Sequence, residues 1–124
     1  MLSPQGTPAE LLRCWVAGGF ELVVSEKLLA ELDRALAYPK LRKRVALADV
    51  RALISLLARA STISLDPQDA PRRSRDPGDD YLLALSEATH SILVSGDKDL
   101  LSLAGSFPVW TARALAEVLT ADQR

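Results

Sequence analysis

Residues 75–101 read RDPGDDYLLALSEATHSILVSGDKDLL, and the fold is decided in this stretch. Asp76-Pro77 is a helix start: an acid that can accept from free backbone N–H groups, then a proline whose missing N–H costs nothing there. The apolar residues that follow predict a helix from about Pro77 to Thr89, with His90 as a turn residue. Ser91–Val94 (SILV) is continuously apolar, as a parallel strand covered on both faces should be. Ser95-Gly96-Asp97-Lys98-Asp99 follows that strand directly, and Leu100, Leu101 and Leu103 mark a short helix.

The same alternation runs outward in both directions. Thr7-Pro8-Ala9-Glu10 reads as a capping box opening a helix that stops at Gly18-Gly19. Phe20–Val24 (FELVV) reads as a second strand. Ser25 then caps a helix with Leu28, Leu29, Leu32 and Leu36 on one face. Lys40–Arg44 (KLRKR) reads as a short basic helix, and Val50, Leu53, Ile54 and Leu57 mark a further amphipathic one. Thr62–Leu65 is a short strand and Asp66–Arg75 a polar loop. Pro108–Trp110 is a last strand, and Thr111 caps a final helix. Strands separated by helices imply parallel βαβ units in an α/β domain.

At 124 residues and 48% hydrophobic content, one domain with one core is expected. The net charge of −1 gives no whole-molecule attraction for nucleic acid, so any such binding rests on a local patch. One cysteine, Cys14, rules out an internal disulfide; with His90 the only histidine, a zinc site of the usual ligands is excluded. A metal here would be a hard cation held by carboxylates. No signal peptide or apolar run of bilayer length is seen, and a cytoplasmic, reducing location is expected. Cys14 and Trp15 read as packing residues.

The acids carry the functional question. In open α/β sheets, sites gather at the carboxyl ends of strands. Asp97 and Asp99 lie there, and Asp76, Asp79 and Asp80 open the preceding helix. Converging carboxylates repel unless Mg²⁺ or Mn²⁺ shares them, and such a cation can activate water against a phosphodiester. The plainer reading makes Asp76 an N-cap with Asp79 as its partner, and Asp97 and Asp99 turn acids of the next helix. Asp80, one position past the box, is least explained by capping, and Asp97 next. Glu31 flanks the leucine stripe of its helix and, alone, reads as a solvated edge. The basic residues Lys40, Arg42, Lys43 and Arg44, and the later Arg72, Arg73 and Arg75, suit RNA phosphates or ordinary solvated surface.

Three segments together resemble the PIN-domain family, and within it the VapC-like ribonucleases of toxin–antitoxin pairs. They are ELVVSEKLLAELDRAL (residues 21–36), RDPGDDYLLALSEA (75–88) and ILVSGDKDLL (92–101), and the likeness extends from Thr7 onward. The resemblance implies a three-layer α/β/α fold with a parallel sheet. It implies that Glu31, Asp80 and Asp97 hold Mg²⁺ or Mn²⁺, with Asp99 as a further acid of the site. Asp76 and Asp79 then support or cap, and Ser95 matches a small hydroxyl residue beside the carboxylates. Family members open with a strand ending in Asp-Thr-Asn; its absence here implies a missing first central strand and a missing acid. The expected function is a metal-dependent toxin ribonuclease that hydrolyses single-stranded RNA and pairs with an antitoxin. The alternative is a catalytically impaired PIN-like binding module or a truncated gene product. Asp80 and Asp97 are expected in one cleft with Glu31 facing it. A homo-oligomer is expected, joined through Phe20–Val24, Ser91–Val94 or the N-terminal segment, and no membrane partner.

Overall fold

The computed structural model describes residues 7–43 and 46–122. Ser3–Gly6 and Arg44, which figure in the expectations above, lie outside the described residues. The fold is mixed α/β with short parallel strands. In chain order the helices are α1 (Thr7–Val16), α2 (Glu26–Leu36), α3 (Pro39–Arg42), α4 (Leu47–Ala60), α5 (Asp80–Thr89), α6 (Lys98–Leu101) and α7 (Ala112–Asp122). The strands are β1 (Val23–Val24), β2 (Thr62–Ile63), β3 (Leu93–Val94) and β4 (Val109–Trp110). No helix among the described residues is long and apolar enough to cross a membrane. The described residues fall into two compact units, one formed by Glu21–Asp66 and the other by residues up to Phe20 together with those from Pro67 on.

In the first unit, β1 and β2 pair in parallel, Val23 opposite Thr62 and Val24 opposite Ile63. Thr62 N donates to Leu22 O and Ser64 N to Val24 O, both at 2.8 Å. The expected strand FELVV is therefore cut to its last two residues, because pairing sets strand length and β2 is equally short. Helices α2 and α4 pack together, and Val50 and Leu57 on α4 are buried. Ser25 is extended, fully buried, and its Oγ accepts from Leu28 N at 3.2 Å, the N-cap its sequence position suggests. A second side chain serves the same helix start: Asp66 Oδ2 accepts from Lys27 N at 3.0 Å.

In the second unit, β3 and β4 pair in parallel, Leu93 opposite Val109 and Val94 opposite Trp110. Leu83, Leu100 and Val109 form its buried centre, with Leu82, Leu93, Leu101, Leu103 and Phe107 packed around them. This cluster fixes α5 against the strands, and so fixes where the first residue of α5 stands. Helix α5 ends at His90, whose left-handed conformation (φ 53°) closes the turn while Ser91 N donates to Ser86 O at 3.0 Å. Helix α1 ends just before Gly18, at φ 85°, where a side chain would be strained. Helices α1 and α7 pack together.

The expectation that SILV is covered on both faces fails. Leu93 faces the core, but Ile92 and Val94 are 42% and 38% exposed. Alternate residues of a strand point to opposite faces, so one side of β3 is packed and the other meets solvent.

Candidate functional site

Asp80 is the first residue of α5 and is 3% exposed, a depth at which a carboxylate needs partners. Its partners come from the loop just before it. Oδ1 accepts from Ser74 N at 2.8 Å, Ser74 Oγ at 2.9 Å and Arg73 N at 3.0 Å. The Ser74 N–H, more than any other group, holds the Asp80 carboxyl below its ordinary pKa. Burial works against this, while the Arg73 N–H, the Ser74 hydroxyl and the Arg72 charge add to the lowering. Ser74 is itself buried and also donates to Asp76 O at 2.6 Å. Asp80 thus stays ionised and pins a loop that bears Arg72, Arg73 and Arg75.

The other oxygen of Asp80 has a different environment. Oδ2 is buried and receives no hydrogen bond, with Arg72 Nε 3.4 Å away as its ion-pair partner. A buried, anionic oxygen with open lone pairs is what a hard cation would complete. The donor chemistry of Asp80, Asp97, Asp99 and Glu31, all carboxylates, suits Mg²⁺ or Mn²⁺. As the side chains stand, however, no three His, Cys, Asp or Glu among the described residues are grouped closely enough to hold one ion together.

Asp97 and Asp99 follow β3, as the strand-end position requires. Asp97 is exposed and caps α6, its Oδ1 accepting from Asp99 N at 2.9 Å, so the capping reading describes its hydrogen bonding. Ser95 Oγ accepts from Asp97 N at 3.0 Å and so orders the turn rather than a carboxylate. Asp99 is half-buried, with Arg75 Nη1 3.7 Å from its Oδ1. Asp76 caps the short helical turn Pro77–Asp79, its Oδ1 accepting from Gly78 N at 2.9 Å. Asp79 is half-buried beside it. Glu31 belongs to the other unit, where it is half-buried on α2 rather than fully solvated. Arg73 is the structural arginine of the loop: it ion-pairs with Glu87 and its guanidinium lies 5.2 Å from the centre of the Phe107 ring.

Ser74 was not legible as a site residue, since nothing in the run RRSRDP distinguishes it from a solvated serine. Asp66 was equally hidden: it looked like the first residue of a polar loop, yet it caps α2 and keeps a buried, unpartnered Oδ1.

Comparison with known proteins gives this geometry its setting. The PIN-domain family matches residues 1–99, and the chain belongs to that family. PIN domains are a nuclease superfamily that acts on RNA and generally uses divalent metal ions. The chain is also 27% identical over 105 residues to an uncharacterized protein of Methanocaldococcus jannaschii, a match covering 83% of this chain and 66% of that relative. No solved structure gives a significant match.

Proposed function

We propose that this chain is a single PIN-like domain acting as an Mg²⁺- or Mn²⁺-dependent endoribonuclease on single-stranded RNA, the toxin of a toxin–antitoxin pair. The observation that carries this is Asp80: ionised, nearly inaccessible, saturated at one oxygen and open at the other. A carboxylate held so firmly by one edge offers its other edge at a fixed position, which is what preorganised binding requires.

In this reading Glu31, Asp80 and Asp97 hold the cation and Asp99 orients the attacking water. The ion would supply positive charge against the phosphodiester and make water a better nucleophile. Asp80 contributes a fixed ligand. Asp97 and Asp99, on a loop held only by its own turn hydrogen bonds, contribute ligands that can turn toward it. Arg72 and Arg75 supply positive charge beside the site, which the net charge of −1 does not.

Assembly with further chains belongs to the same proposal. Ile63, Leu65, Ile92 and Val94 are 52%, 91%, 42% and 38% exposed, on or beside strands with a single strand neighbour. Covering them by a second copy of the chain, or by an antitoxin, removes apolar surface from water and protects open strand edges.

A second reading is favoured by one observation, the failure of three acids to converge. It makes the chain a PIN-like module that binds without cleaving. Titration calorimetry with Mn²⁺ separates the two. The nuclease reading expects weak binding, with Kd about millimolar, abolished by Asp80→Asn or Asp97→Asn. Absence of metal-dependent heat in the parent protein would leave the binding module standing.

A further inference from the structure

Two acids of the site are already paired with arginines. Arg72 Nε stands 3.4 Å from Asp80 Oδ2, the buried oxygen that receives no hydrogen bond, and Arg75 Nη1 stands 3.7 Å from Asp99 Oδ1. Both separations exceed the roughly 2.7–2.9 Å of a charge-assisted hydrogen bond. The guanidiniums therefore act as nearby positive charge and not as locked forks. Their side chains are 71% and 85% exposed, so little stability depends on either pair. Arg73 of the same loop differs: 25% exposed, paired with Glu87 and stacked over Phe107, it is fastened in place. The loop is thus pinned at Arg73 and Ser74 while the arginines on either side are free to turn.

Resting on the nuclease reading, we propose that Arg72 and Arg75 are exchangeable countercharges. In the metal-free protein they neutralise Asp80 and Asp99. A divalent cation competes for the same carboxylate oxygens and displaces them, and the released guanidiniums then grip the phosphodiesters of single-stranded RNA. Three physical points support this. A positive charge stands against the one buried oxygen that a cation would complete. A planar guanidinium matches a phosphate as well as a carboxylate, so it can change partner without changing chemistry. The chain has no net positive charge, so an RNA-binding surface must be concentrated, and this loop puts three arginines within four residues beside the acids.

The exchange predicts effects of opposite sign. Arg72→Gln removes the competitor, so Mn²⁺ should bind about three- to tenfold more tightly, from the Coulomb repulsion between a guanidinium and a divalent ion a few ångströms apart in a mostly aqueous setting. The same change should weaken RNA binding. In log–log salt dependence, each lost phosphate contact should lower the slope by about 0.7. Arg75→Gln should act in the same two directions, and Arg72→Lys, which keeps the charge, should stay near the parent in both.

The experiment pairs Mn²⁺ titration calorimetry with fluorescence anisotropy of a phosphorothioate-linked single-stranded RNA at several salt concentrations. Circular dichroism checks folding, which substitutions at such exposed positions should leave intact. Tighter Mn²⁺ with weaker, less salt-sensitive RNA binding supports the proposal. Unchanged Mn²⁺ affinity in both Gln variants, or loss of both affinities together, overturns it while leaving the metal site standing. Absence of Mn²⁺ binding in the parent overturns the nuclease reading and this proposal with it.

Discussion

Ser25→Ala is expected to loosen the first turn of α2, the helix that presents Glu31. An α-helix begins with four backbone N–H groups that have no partner within the helix. Here one, from Leu28, goes to Ser25 Oγ at 3.2 Å, and another, from Lys27, goes to Asp66 Oδ2 at 3.0 Å. Loss of an N-cap side chain typically costs about 1 kcal/mol. Ser25 is 0% exposed, so water cannot readily replace the lost acceptor, and the cost should rise to roughly 1–2 kcal/mol. For a chain of this size each kcal/mol lowers Tm by roughly 4 °C, giving a fall of roughly 4–8 °C. Asp66→Ala should cost less, because it also deletes Oδ1, an oxygen buried without a donor. The double variant should show coupling, since both residues hold one helix terminus. Scanning calorimetry of the three variants checks this. A Ser25→Ala protein that melts within a degree of the parent would refute the assignment of Ser25 as a cap that matters.

Leu83→Ala, which empties a position 1% exposed among Leu100 and Val109, should cost about 3 kcal/mol and lower Tm by roughly 10 °C or more, read by thermal unfolding. Asp80 has a folded-state pKa below its unfolded value, so its stabilisation is present above the ordinary carboxylate range and is lost as pH falls through the folded pKa. Urea unfolding followed from neutral to acid pH should show that loss, and the Asp80→Asn variant should show a flatter acid limb. Arg73→Ala should destabilise by no more than about 1 kcal/mol, through the loss of its Glu87 pair and Phe107 contact, as measured by urea midpoint.

Local structure was legible where one residue decides it. Ser25 before a leucine stripe, Asp76 before Pro77 and Thr111 before α7 all cap as their positions suggest; Ala114 N donates to Thr111 Oγ1 at 3.1 Å. His90 was legible as a turn residue, although its role in closing α5 depends on a left-handed backbone that no spacing announces. Strand length was not legible. A continuous apolar run such as FELVV or SILV marks what can pair, but the partner decides how much does. The exposure of Ile92 and Val94 follows from the same limit.

The acids divide along the same line. Asp80 stood out because it lies one step past a capping box. What it does, accepting from residues 73 and 74, depends on how the arginine loop folds back, and no helical or strand period encodes that return. Asp97 and Asp99 could be placed at a strand end from sequence. Their hydrogen bonds are those of a turn, and a turn acid and a metal ligand at that place have the same sequence. The resemblance to PIN domains identified the family; the side-chain partners came from the fold.

The most direct test of the nuclease account is cleavage of a fluorescently labelled single-stranded RNA by the purified chain with Mn²⁺, with chelator, and with the variants Glu31→Gln, Asp80→Asn and Asp97→Asn. The account predicts internal cleavage that needs the metal, and loss of at least about a hundredfold in each variant, the scale expected when a group that places charge at the transition state is removed. RNA left intact by the metal-loaded parent protein, or cleavage undiminished by Asp80→Asn, would contradict it.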